Sequence, residues 1–391
     1  MIEELRSIEY LQFLNSSIIF MKILLIEPYH TGSHAAWASE FATHSHHFVS
    51  MFTLPGRFWK WRMHGAAVTL ARQFLAEEYA PDLILTTDML DLTTFLALTR
   101  SRTYNTPTAL YFHENQLTYP WSVDDKDLLK GRDVHYGFIN YASAMAADTV
   151  LFNSQFHLES FFEELPRFLK HFPDYNELDT VKILRSKSRV LPLGLDLGRF
   201  DACNPGRKPD GRPLLLWNHR WEYDKNPEEF FQALYILAEK GLDFGVIILG
   251  ESFRQSPAEF MKARERLGSR IRHMGYAADF TDYARWLRQA HILPVTSHHD
   301  FFGTSIVEAI YCGCVPFLPK RLSYPELIPD ELHELCFYKD FDDLVERLSC
   351  AIKNPCLEQH PDLRKAVARF DWKQIAGVYD DTLKQLCRGK Q

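Results

Sequence analysis

Short apolar runs of strand length alternate with longer amphipathic segments along this chain, and the alternation occurs twice. The first set runs through Lys22–Ile26, Phe48–Phe52, Leu83–Thr86, Thr108–Phe112, Thr149–Phe152 and Arg189–Leu193. Apolar runs with no polar alternation, separated by segments of helical length, describe parallel strands covered on both faces. Residues 196–213 then read DLGRFDACNPGRKPDGRP, a Gly-, Pro- and charge-rich linker composition. A second set follows at Pro213–Trp217, Phe244–Leu249, Ile271–Met274, Ile292–Thr296 and Val315–Leu318, and helical segments close the chain near 341–352, 360–369 and 371–387. The pattern predicts an α/β protein of two Rossmann-like, doubly wound parallel sheets facing a cleft. The expected division is an extension at 1–20, an N-terminal domain at 21–200, a C-terminal domain at 201–370 and a helix at 371–391 that packs back toward the N-terminal domain. A length of 391 residues suits two such cores.

Several classes are disfavoured. Hydrophobic residues make up 46% and charged residues 24% of the chain, which is globular rather than disordered. No apolar stretch reaches 18 residues, so no membrane span is expected. Glu3 and Glu4 precede the apolar Ile18-Ile19-Phe20, which argues against a secretory signal, and the first strand begins just after Met21. The 7 cysteines all lie from Cys203 onward without a CxxC pair, which predicts reduced thiols, no metal site of that spacing and a cytoplasmic protein. A net charge of -7 is wrong for a surface that coats nucleic acid throughout but leaves room for a local basic patch.

In doubly wound sheets ligands bind beyond the carboxyl ends of the strands. Four polar segments sit there. In His298–Ala309 (HHDFFGTSIVEA), Gly303 permits close backbone approach, and a helix is expected to start near Thr304. Its first N–H groups, with Phe302, Gly303 and Thr304 at the tip, suit a diphosphate or a sugar hydroxyl. Asp300 and Glu308, eight residues apart, can accept hydrogen bonds from two ends of one ligand. In Trp217–Pro227 (WNHRWEYDKNP), Arg220 offers a bidentate guanidinium and Lys225 a point charge, a suitable clamp for a leaving diphosphate. A surface ion-pair cluster with Glu222 and Asp224 is the alternative.

The N-terminal half supplies Tyr111–Pro120 (YFHENQLTYP), in which His113 could bond a sugar hydroxyl and Glu114 and Asn115 an acceptor. It also supplies Glu27–His34 (EPYHTGSH), read as a loop after the first strand with Gly32 and Ser33 lining the cleft. Asn153-Ser154 reads as a helix cap. In Leu54–His64 (LPGRFWKWRMH), Arg57, Trp59, Lys60, Trp61 and Arg62 alternate cations with rings, as a surface that stacks bases and meets phosphates would. The alternative is that both tryptophans pack in the core. A cationic run at Lys182, Arg185, Lys187 and Arg189 lies in the same half, and the DxD strings at Asp125–Asp127 and Asp340–Asp342 read as surface acids.

The Asp300–Glu308 segment resembles the E-x7-E element of retaining glycosyltransferases of the GT-B fold, with Asp300 one methylene shorter than the usual Glu. Together MKILLIEPYHTGSH, LPGRFWKWRMHG, YFHENQLTYP, NHRWEYDKNP and DFFGTSIVEAIYCGCVPFLP resemble the tRNA-queuosine α-mannosyltransferase family over about residues 21–330. The resemblance implies a GDP-mannose donor and no metal or other cofactor. It implies queuosine in the anticodon of tRNA(Asp) as acceptor, with retention of anomeric configuration. It further implies that Arg220 and Lys225 hold the diphosphate, Asp300 the mannose, Glu308 the ribose and His113 the reacting centre. A lipid-linked or soluble glycan acceptor, and a non-catalytic nucleotide- or RNA-binding module, are the competing readings.

Overall fold

The computed structural model describes residues 20–121, 134–203, 211–251, 258–354 and 360–388. Residues 1–19 of the expected extension and the Asp125–Asp127 string lie outside the described residues. The N-terminal lobe is built on β1 (Lys22–His30), β2 (Phe48–Pro55), β3 (Leu83–Thr87), β4 (Thr108–Phe112), β5 (Thr149–Phe152) and β6 (Ser188–Val190). The C-terminal lobe is built on β7 (Leu214–Asn218), β8 (Gly245–Leu249), β9 (Ile271–Gly275), β10 (Ile292–Pro294), β11 (Val315–Pro319) and β12 (Phe337–Tyr338). Strand orders are β2-β1-β3-β4-β5-β6 and β12-β11-β10-β7-β8-β9, and the paired strands run parallel. Strands β3, β4, β5, β7 and β8 are buried along their whole length, as sheets covered on both faces require.

The strands depart from the sequence expectation at several places, among them β1, β10 and β12. β1 continues through Glu27 to His30 because that segment keeps pairing with β2, Glu27 opposite Thr53 and His30 opposite Pro55. Glu27 therefore sits inside the strand rather than in the loop after it. β10 stops at Pro294, and Thr296 instead donates its hydroxyl to the carbonyls of Lys225 and Asn226 at 3.1 and 2.8 Å. β12 is two residues long, too short for any periodicity to reveal.

The helix Trp372–Arg388 returns to the N-terminal lobe. Trp37 Nε1 donates to Tyr379 Oη at 3.1 Å, Trp372 Nε1 to Glu40 at 2.8 Å, and Ser45 Oγ to Asp380 at 2.6 Å. A Cβ at Gly194 would lie 2.5 Å from the Trp372 ring, so only glycine lets the outgoing chain pass there. Leu195 and Asp371 pair as a parallel bridge, which places the two crossings between lobes side by side. No described helix is long and apolar enough to cross a membrane.

Candidate active site

Arg220, Lys225, Asp300 and Glu308 all follow the carboxyl ends of β7 and β10. Lys225 ends a single 3-10 turn, Tyr223–Lys225, and Asn226 follows at φ 53, its side chain capping the helix Pro227–Glu239 at Glu229 N. That sharp reversal aims the Lys225 ammonium back over the sheet. Its Nζ donates to His299 O at 2.7 Å and stands 3.1 Å from Asp224 and 3.8 Å from Asp300. Asp300 Oδ2 also accepts from Tyr324 Oη at 3.3 Å. Arg220 keeps 49% of its side-chain surface open; it pairs with Glu222 at 3.3 Å and donates to Tyr119 Oη of the other lobe at 3.4 Å. The guanidinium thus lies between the lobes. Burial, then the Lys225 charge, hold His219 down at about 3 and His299 at about 4, so neither imidazole adds charge to the clamp.

Gly303, at φ 97, precedes the helix Thr304–Tyr311, and no side chain caps it. Glu308 lies one turn in and is buried, with Tyr283 Oη donating to Oε2 at 2.6 Å and Arg199 to Oε1 at 3.4 Å. Burial raises the Glu308 carboxyl above its ordinary value, against the pull of the Tyr283 bond. A cavity of about 340 Å³ collects Gly32 and Ser33 from one lobe and Thr304 and Glu308 from the other, together with Arg199 and Tyr276. Phe302 is not part of it. Its ring turns the other way, packing on Phe370 at 5.2 Å and lining a separate cavity with Ile375 and Arg369.

The N-terminal lobe places a buried cluster at the carboxyl ends of β1, β3 and β4. Glu27 Oε2 meets His34 Nδ1 at 3.0 Å, and the His34 ring lies 4.3 Å from that of His113. Burial lowers the His34 pKa but the Glu27 carboxylate outweighs it, leaving His34 at about 9 and protonated. His113 is held the other way. Burial and the His34 charge push it well below the ordinary range, so it is neutral. Its backbone is fixed by N–H to Asp88 Oδ1 at 2.8 Å and by Asn153 Nδ2 to its carbonyl at 2.9 Å, while its Nε2 is buried without a hydrogen-bond partner. Ligand atoms of Glu27, His34 and His113 lie within 4.8 Å of one another, a spacing one cation could bridge, but the ion pair already satisfies His34 without one.

Glu114 is partly exposed beside this cluster and accepts from Gln116 Nε2 at 3.1 Å. Asn115 has a different task from the one expected of it: it is fully buried, and its Oδ1 accepts from Leu117 N and Thr118 N at 3.1 and 3.0 Å, closing the turn rather than facing an acceptor. The ring-and-cation stretch is split. Trp59 and Lys60 turn inward, Trp59 lying 5.1 Å from Tyr136 and 6.0 Å from Trp121, with the Lys60 ammonium 5.3 Å from the Trp121 ring. Phe58 and Trp61 stay outside. Of the second cationic run, Lys187 Nζ donates to the carbonyls of Met145 and Ala147 and Arg185 pairs with Glu159, while Lys182 and Arg189 are exposed. Ser154 caps its helix at His157 N, and Asp340 caps another at Asp343 N.

Sequence reasoning missed Glu27, His34, Asp88, Tyr119, Arg199, Tyr276 and Tyr283. The local signals were thin: a carboxylate inside an apolar run for Glu27, and an aromatic directly after the terminal glycine of β9 for Tyr276.

Residues 22–195 match the family model for the N-terminal part of tRNA-queuosine alpha-mannosyltransferases, and residues 201–369 match that for group 1 glycosyl transferases. The tRNA-queuosine alpha-mannosyltransferase of Drosophila melanogaster is 35% identical over 317 residues, spanning 79% of this chain and 82% of that enzyme. A GDP-mannose:cellobiosyl-diphosphopolyprenol alpha-mannosyltransferase of Xanthomonas campestris is 23% identical over 50% of this chain and 52% of that protein. Among solved structures, sucrose-phosphate synthase from Thermosynechococcus elongatus superposes with a TM-score of 0.66 at 17% identity, covering 94% of this chain and 100% of that one. Anabaena HepE in complex with UDP and glucose gives 0.61 at 15% identity, covering 93% and 99%. The structural likenesses carry the two-lobed GT-B fold, and the match over most of both chains carries more: this protein is a glycosyltransferase that belongs to the tRNA-queuosine alpha-mannosyltransferase family.

Proposed function

We propose that this enzyme transfers mannose from GDP-mannose to queuosine in the anticodon of tRNA(Asp), in the cytoplasm, with retained configuration and without a metal ion. One observation supports the acceptor above others. The lobe that matches the queuosine-specific family model is the N-terminal one, on the acceptor side of the cleft, whereas the C-terminal lobe matches a model shared by glycosyl transferases at large.

The roles follow from charge and position. Arg220 and Lys225 meet the negative charge that grows on the diphosphate as the glycosidic bond lengthens, and fixed cations there lower the barrier without reorganising at the moment of reaction. Asp300, held beside Lys225 with part of its surface open, accepts from mannose hydroxyls. Glu308 uses one lone pair on each oxygen for Tyr283 and Arg199 and offers the rest to ribose hydroxyls. Gly32, Ser33 and Thr304 line the space around the nucleotide. The unpartnered Nε2 of neutral His113 reaches the hexose near the reacting carbon. The acceptor hydroxyl attacks from the face the diphosphate leaves, and a departing phosphate oxygen takes its proton, so no protein nucleophile is used.

The test is incubation of purified protein with radiolabelled nucleotide-sugars and with tRNA that carries or lacks queuosine. Label moves from GDP-mannose alone, and only to queuosine-containing tRNA. Transfer onto a lipid-linked or free glycan instead, or tight GDP-mannose binding with no transfer at all, would overturn the proposal.

A further inference from the structure

The turn Pro55–Phe58 and the first turn of the helix Trp59–Ala76 present two bare rings beside the cleft. Phe58 is 78% exposed and Trp61 63% exposed, whereas the neighbouring Trp59 is half-buried against Trp121 and Tyr136. Neither ring is merely loose. Phe58 is held in the left-handed region at φ 55, ψ 58, which an aromatic residue rarely adopts, and Arg62 N donates to its carbonyl at 3.0 Å. Trp61 lies over Gly65, where an added Cβ would come within 2.6 Å of the indole. One face of the indole is thereby backed by the helix, and the ring as a whole remains open to solvent. The inward pair, Trp59 and Lys60, anchors this turn through Trp121 and Tyr136.

Place and charge identify the occupant. A Cβ on Gly56 would meet Thr31 Cγ2 at 2.2 Å, so the turn is pressed against the segment that leads into Gly32 and Ser33 at the nucleotide cavity. No Asp or Glu occurs between Glu40 and Glu77 in a chain of net charge -7, while Arg57 and Arg62 flank the rings. Exposed π-faces between cations in an acid-free stretch suit a nucleobase with its phosphates, because every base offers a π-face and every nucleotide a charge. We propose that Phe58 and Trp61 stack an unpaired base of the acceptor RNA, next to the nucleotide that is modified, while Arg57 and Arg62 meet its backbone. The inference rests on the tRNA reading above and adds the residues that grip the RNA away from the reacting hydroxyl.

The experiment uses the full-length enzyme with Phe58→Ala, Trp61→Ala, the double variant, Trp61→Phe and, as a control on the same helix, Val68→Ala, whose side chain is also exposed. Loss of one stacked ring is expected to raise the KM for queuosine tRNA about tenfold, and loss of both by more. The KM for GDP-mannose stays put, Trp61→Phe regains most of the loss, and Val68→Ala behaves as wild type. Arg57→Ala makes tRNA binding less steeply dependent on salt, by roughly one counterion. An unchanged tRNA KM in the double variant, with wild-type transfer to tRNA intact, overturns the stacking site alone. Wild-type transfer to a glycan and to no RNA overturns both this inference and the acceptor reading. Self-association of the wild type that the double variant loses, with unchanged tRNA KM, assigns the rings to contact between copies and also overturns it.

Discussion

Lys225 Nζ stands 3.8 Å from Asp300 Oδ2, which joins two motifs from the ends of different strands into one charged unit. Asp224, 3.1 Å from the same ammonium, is almost wholly buried, and both of its carboxylate oxygens lack a hydrogen bond from any other group. Lys225 therefore serves the fold in addition to the role proposed for it on the diphosphate. Lys225→Met is expected to cut turnover severely and to lower stability by about 3 kcal/mol, because a buried carboxylate loses its counter-ion. Parallel measurement of kcat and of the denaturant midpoint checks both effects; a variant of normal stability would show that Asp224 does not depend on this lysine.

Arg220 separates the two effects. Its side chain is half open and its partners are Glu222 and a tyrosine of the opposite lobe. Arg220→Ala should leave the unfolding midpoint nearly unchanged and reduce kcat/KM by about 10²- to 10³-fold, the scale for removal of one preorganised charge from a developing anion. Kinetics within a few fold of wild type would take Arg220 out of the diphosphate site.

The Glu27–His34 pair makes stability depend on alkaline pH. The folded pKa of His34, about 9, lies above the ordinary value of 6.5. A raised pKa contributes stability that is fully present below about 6.5 and is lost as pH rises through about 9, and the shift is worth at most about 3 kcal/mol. The melting temperature of wild type should exceed that of His34→Gln most at pH 6, with the gap narrowing steadily toward pH 9.5. A gap that stays constant over this range would mean that His34 is neutral in the folded protein.

On the proposed reading, in which Arg220 and Lys225 meet the diphosphate charge, chelation should leave the reaction untouched. Turnover after dialysis against EDTA is expected to equal that of the untreated enzyme. Inactivation reversed by a divalent cation would place that cation in the reaction, with Glu27, His34 and His113 as its first candidate ligands.

The sequence by itself determined the two sheets and the segments that follow their strands with Arg220, Lys225, Asp300, Glu308 and His113. These are local properties. A buried parallel strand must be an unbroken apolar run, and a polar cluster directly after one must lie at the sheet's carboxyl edge, so Arg220, Lys225, Asp300, Glu308 and His113 could be placed from their positions alone. Only the tertiary structure decided what those groups touch. Glu27 looked like a loop residue until β2 carried β1 past it, and its partner His34 lies beyond the turn on a helix. Tyr119 with Arg220, and Tyr283 and Arg199 with Glu308, are pairings across lobes or between separate elements that no spacing encodes. The same holds for the ring-rich stretch. Trp59 and Trp61 are two residues apart and equal in composition, and which one faces solvent is set by Trp121 and Tyr136, distant in the chain and brought alongside only when the lobe folds.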